Sequence, residues 1–293
     1  MLTPVEAGGV HIKATTDADW TLVAYGKAWI KGLGAGIGIF DAQSGRALGS
    51  VVVPEGACAA MDAGFGAVWT ATCNSRGVSR IDPVTGRVTG HVALDVPPDG
   101  ESSIGAGEGG VWAISDGPGC SECQVVEIDP HTVKISERFA IAAGASAVRA
   151  GLGGVWLTYF DTNEVLHMDP GSGAVVATIP VADIPRFFDV GVGGVWVMSQ
   201  AAGALCHIDP TTDSLVTCLQ IDEQPVEGGD LTIGAGSVWF RGSAELVAQV
   251  DPRTDKVVAR FGPGRGSGSA SGGSGELWIS AHDVASLYRI PVH

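Results

Sequence analysis

Short apolar segments alternate with glycine-rich or polar turns along the whole chain, and many of them are rich in Val, Ile and Thr, which favour strands. One unit shows the order clearly. An apolar segment, a Gly turn, a Val-Trp segment and a polar loop are followed by another apolar segment, an Asp-Pro turn and a β-branched segment. In this unit we predict strands at 146–150, 154–159, 164–168 and 174–179.

Seven of the eight tryptophans stand at one repeating position, with spacings between 39 and 44 residues. A Gly-rich turn precedes most of them, and an apolar-Asp-Pro turn follows five of them, as at 81–83. A repeat of this length with four short strands is typical of a propeller blade. The sequence therefore predicts an all-β protein, a seven-bladed β-propeller with four-stranded antiparallel blades. The blade tryptophans are Trp29, Trp69, Trp112, Trp156, Trp196, Trp239 and Trp278.

The two ends of the chain predict how the ring closes. The last unit ends after a strand at 284–290 and has no outer strand, whereas 9–14 forms a spare strand before the first blade. We expect this N-terminal strand to pair with the last unit and close the ring; the alternative is a disordered N-terminus. The predicted organisation is a tail at 1–7 and one propeller domain at 8–293.

The net charge of the chain argues against some classes of binding partner. The chain has 17 Lys and Arg against 32 Asp and Glu, a formal net charge of −15. This balance argues against nucleic acid or an anionic membrane surface as a partner. No apolar run approaches the roughly 18–20 residues of a membrane-spanning helix. We expect a monomer with 44 Gly and 15 Pro supplying its many turns.

The six cysteines can form three local pairs. Two pairs are expected on neighbouring strands, and the third lies in one loop, where a zinc or redox site is the alternative. The predicted disulfides are Cys58–Cys73, Cys120–Cys123 and Cys206–Cys218. Three disulfides favour an oxidising compartment. We therefore expect a secreted or periplasmic protein whose leader has been removed; six free thiols in a cytoplasmic protein are the alternative.

Repeats of the form Gly-x-Gly-x-Val-Trp followed by Ile-Asp-Pro-x-Thr-Gly-x-Val, as in 151–175 and 191–216, resemble those of the streptogramin (virginiamycin B) lyase-like and YVTN (YncE-like) β-propeller superfamily. The resemblance covers 8–293. It implies, for an enzyme, a lyase rather than a hydrolase: an elimination that opens a cyclic ester. That chemistry uses a His ten residues before a blade Trp, carboxylates about four residues after one, and Mg²⁺. Here no His stands in the first column, and Asp116 is the one carboxylate in the second.

Candidate site residues lie in the loops around one mouth of the predicted central channel, since loops on a rigid scaffold usually carry function. The candidate acid–base residues are His282, Asp116 and Asp230. A divalent metal, Mg²⁺ or Ca²⁺, in the central funnel stays open, and no cofactor is certain. The candidate ligand-binding residues are Asp19, Trp20, Lys31, Arg149, Tyr159, Arg186, Phe187, Gln200 and Arg241.

Several candidates allow more than one interpretation. Lys31 and Arg241 are cations in a column of small or neutral residues, which indicates either an anionic ligand or a salt bridge. Arg186 precedes Phe187, which fits cation–π packing, carboxylate binding or simple loop packing. His282 could pair with Asp19 of the next blade as an acid–base or metal pair, or be a solvated loop residue.

Two further candidates belong to the inner strands. Trp20 could stack on a ligand, cap the channel or pack in the core. Arg149 shares one inner-strand column with Asp62 and Asp189, which predicts charge pairing around the channel.

Three functions follow from these residues. The first is binding of a small, anionic molecule or a partner in the funnel. The second is a lyase or hydrolase that acts on an ester or related small molecule with a His/Asp acid–base pair. The third is a scaffold for protein–protein interaction at the loop face.

Overall fold

The structure, a computed structural model, describes residues 1–14, 18–32, 36–94, 101, 103–115, 123–223, 225–264 and 266–292. These residues form seven four-stranded antiparallel sheets arranged as blades in a ring. The predicted seven-bladed β-propeller is therefore confirmed. In blades one to six the chain runs from the inner strand outwards, so that consecutive strands are neighbours. No helix in this part of the chain is both long and apolar enough to cross a membrane.

The first three blades contain twelve strands. Blade one consists of β2 (Thr21–Ala24), β3 (Lys27–Lys31), β4 (Gly36–Asp41) and β5 (Ala47–Val52). Blade two consists of β6 (Ala57–Gly64), β7 (Ala67–Thr72), β8 (Gly77–Ile81) and β9 (Val88–Ala93). Blade three consists of β10 (Ile104–Gly107), β11 (Gly110–Ser115), β12 (Gln124–Asp129) and β13 (Lys134–Ala140).

The next three blades repeat this order. Blade four consists of β14 (Ala145–Gly151), β15 (Gly154–Tyr159), β16 (Glu164–Met168) and β17 (Val175–Pro180), within a residue of the predicted bounds. Blade five consists of β18 (Pro185–Gly191), β19 (Gly194–Ser199), β20 (Ala204–Asp209) and β21 (Ser214–Gln220). Blade six consists of β22 (Asp230–Gly234), β23 (Ser237–Arg241), β24 (Val247–Asp251) and β25 (Lys256–Phe261).

Blade seven joins the two ends of the chain. It consists of β26 (Ala270–Gly273), β27 (Glu276–Ala281), β28 (Ser286–Pro291) and the N-terminal strand β1 (Val10–Lys13). Strand β1 pairs antiparallel with β28, from Val10 opposite Arg289 to Lys13 opposite Ser286, which confirms the predicted closure. The third strand begins later than expected because His282–Val284 forms a 3-10 turn.

The tryptophan repeat reflects packing between blades. All seven blade tryptophans are buried, and Trp156 packs with Phe188 and Val195 of the next blade. Buried indole N–H groups need acceptors. In four blades the indole donates, at 3.0–3.2 Å, to the backbone carbonyl of the glycine five residues earlier: Gly64, Gly107, Gly151 and Gly234.

The Asp-Pro turns connect the third and fourth strands at the end of the blades opposite the candidate site. In blade two the Oδ1 of Asp82 accepts hydrogen bonds from the backbone N–H groups of Val84 and Thr85. These two bonds hold the pKa of Asp82 below its usual value. The fifth residue of each turn has a left-handed backbone, as at Gly86 (φ 66°), which explains why glycine is frequent there.

Two of the three predicted disulfides are confirmed. Cys206 and Cys218 stand directly opposite each other on β20 and β21 and are bonded, with Cα atoms 4.0 Å apart. Cys58 and Cys73 are bonded with Cα atoms 5.5 Å apart. The predicted Cys120–Cys123 pair stays a prediction, because Cys120 lies outside the described residues. Two disulfides fit an oxidising environment.

Candidate functional site

A cavity of about 230 Å³ opens at the predicted mouth of the channel. Its wall includes four residues from one repeating position, ten residues before the blade tryptophans: Asp19, Arg186, Gly229 and Gly268. It is completed by Trp20, Glu101, Gly228 and Ser267. We call this space the funnel cavity. The repeat places one segment of each blade at the same height around the axis, which is why distant parts of the chain meet here.

Trp20 separates the funnel cavity from the channel beneath it. The indole is 4% exposed, lines both spaces, and lies 6.0 Å from the ring of Phe187 between centroids. The channel cavity below has a volume of about 260 Å³. Trp20 thus forms the floor of the funnel cavity, with Phe187 packed beside it.

Arg186 is the cation of the funnel cavity wall. Its Nη2 lies 3.1 Å from Oε2 of Glu101, and its guanidinium lies over the rings of Phe187 at 5.1 Å and Phe160 at 5.8 Å. The two rings hold the guanidinium by cation–π attraction. The side chain remains 41% exposed, so a ligand in the cavity can reach it.

Glu101 was not among the sequence candidates. It precedes the inner strand of blade three by three residues, and the position ten residues before the blade tryptophan is occupied by its neighbour Ser102. Burial raises the pKa of Glu101, while the Arg186 guanidinium acts in the opposite direction. Asp19 and His282 also act on this carboxyl group, so that the four charged residues form one electrostatic cluster.

His282 and Asp19 meet at the joint between the last and first blades. Their Nδ1 and Oδ1 atoms lie 3.1 Å apart, within ion-pair distance, but the contact lacks hydrogen-bond geometry, and Nδ1 has no hydrogen-bond partner among the described residues. The backbone of Asp19 is fixed there, because its carbonyl accepts from the hydroxyls of Ser269 and Ser280. His282 begins the 3-10 turn that shortens β28, which explains its position at the rim rather than in a strand.

The channel below Trp20 contains the predicted column of charged residues. Asp62 and Asp189 each accept two backbone N–H groups, one from the following residue and one from the inner strand of the next blade, Ala106 and Ile233 respectively. Arg149 donates to the carbonyls of Ile104 and Val148 and electrostatically lowers the pKa of both carboxyl groups. Burial has the larger effect and raises both pKa values.

Asp230 lies at the top of this channel. Its Oδ1 accepts from the backbone of Leu231 at 2.7 Å and its Oδ2 from Ala270 of the next blade at 3.1 Å. Burial raises its pKa to about 7. Asp230 can therefore change charge near neutral pH, a property that a catalytic acid or base needs.

The other candidates differ in their access to the cavity. Gln200 is buried and donates to the carbonyl of Gly228 at 2.7 Å, which positions the glycine segment of the wall. Arg241 is 0% exposed and donates to the carbonyls of Gly242 and Gly266. Burial lowers its pKa to about 10. It therefore lies behind the wall, where it holds two loops together.

Three candidates remain. Tyr159 is buried, and its hydroxyl donates to the carbonyl of Ala142 at 3.3 Å. Lys31 is the last residue of β3, and its backbone continues the pairing with the segment before β2. Its backbone N–H donates to the carbonyl of Trp20, and its carbonyl accepts from the backbone N–H of Asp19. Asp116 lies outside the described residues. Within the described ranges, no group of three or more His, Cys, Asp or Glu side chains is arranged to hold a metal ion.

Solved structures share this fold at low sequence identity. Virginiamycin B lyase from Staphylococcus aureus has a TM-score of 0.77 at 15% identity, over 97% of this chain and 99% of that chain. Hydrazine synthase from Kuenenia stuttgartiensis has a TM-score of 0.76 at 13% identity, over 97% and 98%. A streptogramin B lyase structure has a TM-score of 0.74 at 14% identity, over 96% and 97%.

No protein-family model and no curated protein sequence matches the chain. At these identities the solved structures show the fold alone, since one propeller fold carries many activities. The chain thus has the streptogramin lyase-like propeller fold that its repeats predicted.

Proposed function

We propose that the protein binds a small anionic molecule in the funnel cavity. The observation that carries this proposal is the Arg186 guanidinium, which is partly exposed in the cavity wall and lies over two phenylalanine rings. A cation fixed in this way loses little conformational freedom when it binds a carboxylate or phosphate. A volume of about 230 Å³ suits a small molecule better than a segment of a partner protein.

Anion binding at Arg186 depends on the state of its ion-pair partner, Glu101. Glu101 occupies one side of the guanidinium, and burial raises its pKa, so that its charged form is disfavoured. An incoming anion competes with Glu101 for the same donors. Such a ligand is favoured when Glu101 takes up a proton or turns away.

A screen of small carboxylates, phosphates, sulfonates and amines by thermal shift tests this proposal. Ligands that bind only the folded protein raise its melting temperature. We expect anions to stabilise the wild type and to lose this effect in Arg186→Ala. The matched control is Arg253→Ala, because Arg253 is paired with Asp251 on the opposite end of the blades. Stabilisation by amines only, or equal anion binding by Arg186→Ala, would contradict it.

A second candidate function is an ester-opening lyase or hydrolase, and the 3.1 Å approach of His282 to Asp19 favours it. A carboxylate that orients an imidazole is the usual support for a general base. In an elimination, the base removes a proton from carbon and the ester C–O bond breaks, leaving a carboxylate and an alkene of unchanged total mass. Hydrolysis instead adds one water to the product.

Mass spectrometry of a streptogramin B incubated with the protein tests this second candidate. A ring-opened product of unchanged mass indicates a lyase, and a product heavier by one water indicates a hydrolase. Activity should be lost in His282→Gln. Turnover that persists in that variant would remove His282 from the chemistry, and no turnover would leave ligand binding as the function.

The two disulfides support placing this function outside the cytoplasm, as a secreted or periplasmic protein. Free-thiol titration of the protein purified from its native source tests this placement. We expect the four cysteines of these two pairs to be unreactive before reduction.

A further inference from the structure

A third cavity, far from the funnel, lies between the outer strands of blades two and three. It has a volume of about 560 Å³ and is formed by β9, β13 and the turn before β13. Four basic residues line it, and no carboxylate does so among the described lining residues: the four are Arg80, His91, His131 and Lys134. In a protein of net charge −15 this local excess of basic residues is unexpected. We call it the basic groove.

Comparison with other blades explains why the basic groove has no acid. The third-strand residue opposite the blade tryptophan is His167 in blade four and His207 in blade five. Each uses its Nδ1 to bind an aspartate at the fifth turn position of the following blade: Asp213 at 2.7 Å and Asp255 at 2.9 Å. These contacts join neighbouring blades by a charge-assisted bond.

Arg80 is the equivalent residue of blade two, opposite Trp69. The fifth turn position of blade three is Val133, whose side chain cannot accept a hydrogen bond. Accordingly the buried Nε of Arg80 has no hydrogen-bond partner among the described residues, although its Nη1 reaches Thr89. The blade two–three junction thus has the donor of the inter-blade contact without its acceptor, and a buried unpaired donor is costly.

Val133 is itself unusual in this place. Its φ is 54°, a left-handed conformation that β-branched residues avoid. Most other blades have Gly or Asp at the fifth turn position: Gly45, Gly86, Gly173, Asp213 and Asp255. The turn carboxylates do not replace the missing acceptor: Asp82 and Asp129 each accept from the backbone of their own turns, and Asp82 interacts with Arg80 electrostatically without a hydrogen bond.

We infer that the basic groove binds an extended acidic segment of a partner protein. Charge complementarity supplies the attraction, because carboxylates of the partner can pair with the basic residues that line the groove. Strands β9 and β13 are the outermost strands of their sheets, so their outer edges can pair with an added strand. Three β-branched apolar residues of the groove lining can contact every second side chain of the bound segment: Val92, Val133 and Ile135.

The substitution Val133→Asp tests this inference, because it supplies the missing carboxylate within the chain. The matched control is Val133→Asn, which has the same size, tolerates the left-handed backbone and carries no charge. The probe is a fluorescent peptide of alternating Glu and Val, with a Gln and Val peptide as the uncharged comparison. Binding to the full chain is measured by anisotropy at low ionic strength.

We expect the acidic peptide to bind the wild type and Val133→Asn alike and to bind Val133→Asp about tenfold more weakly. Arg80→Gln should also weaken binding, whereas Arg186→Ala should not, which separates this groove from the funnel cavity. Equal binding by Val133→Asp, equal binding of the uncharged peptide, or equal loss in both Val133 variants would overturn the inference. Binding of a sulfated oligosaccharide in the absence of peptide binding would also overturn it.

Discussion

The imidazole Nδ1 of His282 lies 3.1 Å from the carboxylate Oδ1 of Asp19, although the two residues belong to the last and first blades. Closure of the ring by β1 and β28 is therefore what brings these residues together. The same joint places Asp19 in the wall of the funnel cavity and His282 beside it. Asp19 has a part in both proposed functions, anion binding and acid–base chemistry. One substitution at Asp19 can therefore distinguish between them.

Asp19→Asn should have opposite effects on the two functions. Removing a negative charge from the cavity wall should strengthen anion binding about threefold. Ester opening should slow about tenfold or more, because His282 loses the carboxylate that can stabilise its protonated form. Calorimetric titration and mass spectrometry on the same preparation measure both effects. Weaker anion binding in this variant would contradict the electrostatic account of the cavity.

Glu101 should make anion binding depend on pH. Burial raises its pKa, so lowering the pH through that value neutralises Glu101 and releases Arg186 for the ligand. Affinity for a sulfonate, whose charge is constant, should rise as the pH falls. Glu101→Gln should bind about tenfold more tightly at neutral pH and lose this dependence.

A His282→Gln background keeps the imidazole charge out of that comparison. In that background, sulfonate binding is measured across the pH range with Glu101 intact and with the Glu101→Gln substitution added. If the pH dependence is the same in both proteins, Glu101 does not control access to Arg186.

Asp230 should lower stability as the pH rises. Its pKa is about 7 in the folded protein and near 3.8 in an unfolded chain, so between these values the folded state holds a proton that the unfolded state has lost. The Asp230 contribution to the free energy of unfolding therefore falls from pH 4 to pH 7. The upper limit is about 4 kcal/mol, because each pKa unit corresponds to about 1.4 kcal/mol.

Urea unfolding of wild type and Asp230→Asn across this pH range measures the effect. The variant loses one acceptor for the backbone of Leu231 or Ala270 and should be less stable at pH 4. Its deficit should shrink towards pH 7 and above. Two parallel stability curves would show that Asp230 titrates at its ordinary pKa.

His207 and Asp255 should be energetically coupled across blades five and six. The imidazole stacks on Trp196 at 3.9 Å between centroids while Nδ1 contacts Asp255 at 2.9 Å. His207→Phe keeps the stacking and removes the bond, and Asp255→Asn keeps the turn conformation. A double-mutant cycle should give a coupling of about 1–2 kcal/mol. Additive effects would mean that stacking alone holds this junction.

The fold was predictable because its determinants repeat. Each blade tryptophan must be buried, and its strand, its glycine turn and its Asp-Pro turn follow at fixed distances, so one period reveals all seven blades. The closing strand was predictable for a related reason: the last blade has one strand too few. The 3-10 turn at His282–Val284 was not, because Val284 favours a strand and no glycine or proline marks a turn there.

The candidate site was only partly predictable. Asp19 and Arg186 were found because they belong to one repeating column, which lines the funnel cavity in four blades. Glu101 was missed because its side chain reaches the cavity from outside that column. Arg241 looked like a ligand-binding cation in the sequence, yet the carbonyls that surround it come from Gly242 and from Gly266, which is distant in sequence. Contacts made by loops from other blades leave no periodic signal in the chain.

Crystals soaked with the most strongly stabilising anion from the screen provide the most direct measurement of where the ligand binds. The account predicts difference density for the anion in the funnel cavity, above Trp20 and within hydrogen-bond distance of the Arg186 guanidinium. Density for the anion only at another place, with the pair between Arg186 and Glu101 undisturbed, would contradict it.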